Sequence, residues 1–78
     1  NIKKTLFKML MKGAETDKAK ALLSLELLGN KAVGIGDHST EDFYKNADEA
    51  LIMLVDADDR IATLNKYFNS STGDVING

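Results

Sequence analysis

The feature that most constrains this chain is the spacing of apolar residues over positions 43–68. Phe43, Ala47, Ala50, Leu54, Ala57, Ile61, Leu64 and Phe68 follow one another at alternating intervals of four and three. An α-helix turns once in about 3.6 residues, so this alternation keeps them all on one narrow stripe, the seam along which helices of a coiled coil meet. A strand, with its period of two, would scatter the same residues over both faces. Leu51, Val55 and Ala62 flank the seam and widen it to a bundle-type face. The small residues Ala47, Ala50 and Ala57 permit close approach of another helix in the first half.

The helix that carries this seam has a clear start. Ser39 is the expected N-cap, with Asp37, Glu41 and Asp42 placed near the positive end of the helix dipole. Glu41 with Lys45 and Asp56 with Arg60 are expected as i,i+4 pairs on its outer surface.

A second helical pattern precedes it. Phe7, Leu10, Met11, Ala14, Ala21, Leu22, Leu25 and Leu28 recur at spacings of three, four or seven. Gly13 is the weak point, because glycine costs about 1 kcal/mol relative to alanine inside a helix. The apolar phase runs through it unshifted, so one helix bent at Gly13 is expected. The rival is a break there, with Thr16 or Asp17 capping a new helix. Gly29-Asn30 reads as a helix stop, since both residues tolerate the left-handed conformation that closes a helix C-terminus. In the linker that follows, Val33 and Ile35 are too apolar for a free loop and are expected to fold over the end of the helix pair. Gly34 and Gly36 would supply the backbone angles.

These readings define an all-α protein: an antiparallel two-helix hairpin with helices near 3–29 and 39–69, a linker at 30–38 and a polar tail at 70–78. Each apolar stripe is wider than one neighbouring helix can cover. A chain of 78 residues is also at the size where a core is marginal. It has no cysteine and a single histidine, which excludes disulfides and a Cys/His zinc site as remedies. Regular helix packing and self-association remain, so a homodimeric four-helix bundle is expected. Its seam would be formed by Ala47, Ala50, Leu54, Ala57, Ile61, Leu64 and Phe68.

Charge is unevenly divided. Residues 1–32 carry seven lysines against Glu15, Asp17 and Glu26, and residues 33–78 carry three basic residues against nine acidic ones. Opposite signs suit antiparallel pairing of the two halves. Lys3, Lys4, Lys8 and Lys12 at helical spacing, above Leu6, Phe7, Leu10 and Met11, form a possible interaction face for nucleic acid, an anionic surface or an acidic partner. The plainer reading is the outer face of a core helix. No arginine occurs before Arg60 and the second half is acidic, which argues against nucleic acid.

No apolar run approaches the roughly 20 residues of a membrane span, and the lysine-studded start does not read as a signal peptide. A cytoplasmic location is expected.

Candidate chemistry is sparse. Asp37, His38, Glu41 and Asp42 are the densest set of potential metal ligands, but they hold one His-x-x-Glu where metal bundles use Glu-x-x-His on several helices. A helix cap explains them, and no metal or cofactor is expected. Gly34-Ile35-Gly36 lacks the strand and the further glycine or Gly-Lys-Ser/Thr of a phosphate loop. Asp56, Asp58 and Asp59 lack the glycine and the acidic twelfth ligand of a calcium loop. No serine or threonine has the base that would make it a nucleophile, so an enzyme is not expected.

The run Phe7-Lys8-Met9-Leu10-Met11-Lys12-Gly13-Ala14-Glu15, the linker Val33-Gly34-Ile35-Gly36-Asp37-His38 and the ending Leu64-Asn65-Lys66-Tyr67-Phe68 resemble a set of short proteins of marine tailed bacteriophages, especially cyanophages related to the T-even group. The likeness covers about residues 5–68, and the Gly-Ile-Gly-acid-His linker is its most specific part. It implies a small helical phage protein in the host cytoplasm and assigns no residue a role. The function expected on all these grounds is non-enzymatic protein–protein interaction, with binding to an anionic surface through the first helix as the alternative.

Overall fold

A computed structural model of the chain describes residues 2–31 and 40–69. Two helices account for nearly all of them: α1, Lys4–Lys31, and α2, Thr40–Phe68. No strand occurs among the described residues. The helices pack against each other along their length as an antiparallel hairpin. At about 1.5 Å per residue each is a rod of roughly 43 Å. The expected Ser39 cap, the linker residues Val33 to His38 and the tail lie outside the described residues.

The two helices are stabilised differently at their ends. α2 has Glu41 and Asp42 in its first turn and Lys66 in its last, both favourable to the dipole. α1 has no acidic residue in its first turn. The Phe7 amide donates to the Lys3 carbonyl at 2.8 Å, so lysines crowd the positive end of this helix. Packing against α2, rather than end electrostatics, must hold α1.

α1 runs through Gly13 without interruption and continues through Gly29 and Asn30 to Lys31, two residues beyond the expected stop. Glycine weakens a helix without forbidding it, and Leu25 and Leu28, half-buried on either side of that last turn's start, keep the segment against its neighbour.

Burial reveals a seam in α1 that matches the one in α2. Phe7, Met11, Ala14, Lys18, Ala21, Leu25 and Leu28 are all wholly or partly covered, and they alternate at four and three. Small residues lie at the centre of the contact. Ala14, Ala21 and Ala57 are fully buried, and Ala50 and Leu64 nearly so. No large side chain among the described residues is fully buried. Alanine lets the helices approach closely, but its one methyl contributes only about 0.8 kcal/mol on burial. The core of a single hairpin is therefore thin. Among the described residues thirteen large hydrophobic side chains remain exposed, Met9, Tyr44, Ile52 and Tyr67 each by 60% or more.

Lys18 breaks the apolar run at the waist of the hairpin, and its neighbours explain how it is tolerated. Its ammonium pairs with Asp58 at 3.0 Å. One residue earlier, Asp17 accepts a hydrogen bond from Arg60 at 2.7 Å, and the Arg60 Nε donates to Asp56 at 3.0 Å. The hydrogen bond that Arg60 donates to Asp17 raises the Arg60 pKa above its usual value against an opposing desolvation effect, so the guanidinium is held charged. These half-exposed pairs do more to set register than to stabilise, since polar groups at a seam penalise any slip that would separate them. Asp56–Arg60 is the expected i,i+4 pair. The other, Glu41 with Lys45, is not an ion pair in the structure; both side chains are exposed near the helix start, where solvent screens their attraction.

Candidate interaction surfaces

The two seams divide the hairpin into two flanks. Residues seven apart form columns beside each seam, and in an antiparallel pair like columns face each other. On one flank run Leu10, Asp17 and Ser24 of α1 and Asn46, Met53, Arg60 and Tyr67 of α2. The Asp17–Arg60 contact fixes this side at the waist. Towards the linker end, Ser24, Leu27, Asn46, Glu49 and Met53 line a shallow open groove of about 400 Å³. On the opposite flank run Lys8, Glu15 and Leu22 of α1 and Tyr44, Leu51, Asp58 and Asn65 of α2, with Lys18–Asp58 at the waist. The next column outward on this side holds Lys12, Ala19 and Glu26, facing Asp48, Val55 and Ala62. Leu22, Leu51 and Val55 are about half exposed here, which leaves an apolar centre on this flank.

Lys3, Lys4, Lys8 and Lys12 are all exposed, as the interaction-face reading requires. The registry of Asp17 with Arg60 places Lys12 level with Asn65 and Lys8 level with Asn69. There is no acidic residue within 2–14 or 61–69. The expected pairing of oppositely charged halves is thus realised only at the waist. Lys66 adds a further positive charge to this open end and sits 5.2 Å from the Tyr67 ring centroid. Tyr67 and Phe68 stack at a tilt 6.3 Å apart, and Leu6, Met9 and Leu10 are exposed nearby in sequence on α1. Among the described side chains at the other end, Glu26, Glu41, Asp42, Asp48 and Glu49 outnumber Lys45. The rod is basic at its open end and acidic at its linker end.

The residues Ala47, Ala50, Leu54, Ala57, Ile61, Leu64 and Phe68 form the side of α2 turned towards α1. Ala50, Ala57 and Leu64 are buried within the single hairpin, while Phe68 keeps 40% of its surface exposed. Among the described residues no three His, Cys, Asp or Glu side chains gather as a metal site. Asp37 and His38 lie outside those residues. Asp56 and Asp58 turn to different partners, Arg60 and Lys18, and do not converge on a cation. No helix among the described residues is long and apolar enough to cross a membrane.

The polar waist was open to inference from the sequence by one signal: extending the four-and-three alternation back from Ala21 lands on Lys18. The separation of charge along the rod had none, because it depends on which levels of the two helices meet. The chain matches no protein family, no curated protein and no solved structure.

Proposed function

We propose that this chain is a small non-enzymatic interaction protein that works as a homodimeric four-helix bundle. The observation that carries the reading is the disparity between its core and its surface. Among the described residues the buried ones are four alanines and one leucine, while leucines, isoleucine, methionines and tyrosines stay exposed. Scattered exposed hydrophobics are ordinary on a protein surface, but a hairpin whose own core holds so few large side chains must bury more elsewhere to be stable. A second copy, facing the first across an apolar flank, supplies that burial at the lowest cost in new sequence. With it we propose a further partner among host or viral proteins, met through a face the dimer leaves free. Sedimentation equilibrium at micromolar concentration tests the dimer, and a stable monomer would defeat it.

A second reading has its own support in the open end, where Lys3, Lys4, Lys8, Lys12 and Lys66 gather without an acidic residue in 2–14 or 61–69. Such an end would bind an anionic surface or a polyanion weakly and with strong salt dependence. Retention on heparin that is lost when Lys3, Lys4, Lys8 and Lys12 become glutamine would favour it. Equal elution of the two chains would dismiss it.

A further inference from the structure

We infer that the second copy lies antiparallel on the flank that holds Lys18–Asp58, its linker end over the first copy's open end, with Lys8 and Lys12 of each copy beside Glu26 and Asp48 of the other. The inference rests on the homodimer reading and adds to it a face and a direction.

The face is chosen by what occupies the middle of each flank. One has the Asp17–Arg60–Asp56 chain at its waist, and a second copy laid there would have to strip water from those charges. The other has Ala19, Leu22, Leu51, Val55 and Ala62 on or beside it, with the Lys18–Asp58 pair and the exposed Glu15 as the charged groups near its centre. Two helices side by side, each about 10 Å across and roughly 43 Å long, offer a face on the order of 850 Å², comparable with the roughly 800 Å² per partner of a stable interface.

The direction is chosen by charge. A face-to-face pair of hairpins can be related by a twofold axis along the rods or across them. An axis along the rods stacks open end on open end and sets ten lysines together with no acid in 2–14 or 61–69 of either copy. An axis across them sets each basic end on an acidic one, twice by symmetry. With the axis near the level of Lys18 and Ala19, Lys12 falls opposite Glu26, and Lys8 falls at the level of Asp48.

Distance measurement between spin labels decides the matter, and the absence of native cysteine makes single-site labelling clean. Thr5 is exposed about one turn beyond Lys8 and carries no charge, so Thr5→Cys removes none of the proposed charge pairs. Across an antiparallel dimer the two labels should lie about 40 Å apart, twice the run from residue 5 to the waist. A distance of about 20 Å, the width of the bundle, would overturn the direction while leaving the dimer standing. No dipolar coupling together with a monomer mass would overturn the dimer as well. Charge reversal gives an independent check. Lys8→Glu with Lys12→Glu should weaken the dimer about tenfold or more at low salt, and adding Glu26→Lys with Asp48→Lys to the same chain should restore it. Unchanged association in the double variant would refute the pairing.

Discussion

Replacing Gly13 with alanine is expected to stabilise the protein, and the sign of the effect tests whether α1 is one helix. Gly13 lies inside α1, is exposed, and an ideal Cβ built on it meets no heavy atom within 4 Å. Nothing in the structure opposes the methyl. What remains is the helix propensity difference, about 1 kcal/mol in favour of alanine, most of it from the smaller conformational entropy of the unfolded chain. In a domain of this size that corresponds to a rise in Tm of about 4–8 °C. Thermal unfolding followed by circular dichroism at the helix band, with urea unfolding as a second probe, reads the change directly. Gly13 also lies on the flank opposite the proposed dimer face, so the same substitution should leave the mass in solution unaltered. A Tm lowered by several degrees would mean instead that Gly13 holds a conformation alanine resists, and the rival of two shorter helices separated at Gly13 would return.

Three other substitutions probe the contact between the helices. Ala57→Leu puts a large side chain where the residue has no exposed surface, and the helices should separate at a cost of about 1–3 kcal/mol, seen as a lower urea midpoint. Leu64→Ala removes the largest nearly buried side chain and should cost about 2 kcal/mol, at the low end for such truncations because the surrounding core is shallow. Asp17→Asn loses the charge that faces Arg60 across the waist, so its Tm should fall below the parent's at low salt and converge with it near roughly 1 M salt. Melts that stay equally far apart at both salt levels would assign Asp17 a role in packing instead.

How much of this architecture could be read beforehand depends on which kind of information each part needs. α2 was legible in extent, because Phe43 to Phe68 keep an unbroken alternation and the acidic residues Glu41 and Asp42 mark the start, though the expected Glu41–Lys45 pair does not form. α1 was legible in extent but not in detail. Lys18 occupies a seam position, so the apolar pattern has a gap where the covered face does not. Gly29-Asn30 carries a stop signal that the helix overrides, since a local preference of about 1 kcal/mol yields readily to packing along the neighbouring helix. The antiparallel direction was expected from the opposite charge of the two halves, but nothing local in the sequence set the register. Asp17–Arg60 and Lys18–Asp58 join residues some forty positions apart, and no local rule connects them. The same limit hid the charged ends. Net charge by halves suggests that lysines meet carboxylates, yet antiparallel folding sets Lys8 and Lys12 beside Asn65 and Asn69, and the carboxylates of α2 lie further towards the linker.

If the folded unit is two hairpins, as proposed, self-association must show in solution. Sedimentation equilibrium of the untagged chain over a range from about 1 to 100 μM, in low salt and in high salt, reads it without a label. A mass twice the 8.5 kDa of the chain is expected at the upper concentrations, with the dimer weakened as salt is raised. A single species of one chain's mass throughout, still cooperatively folded, would show that one hairpin suffices.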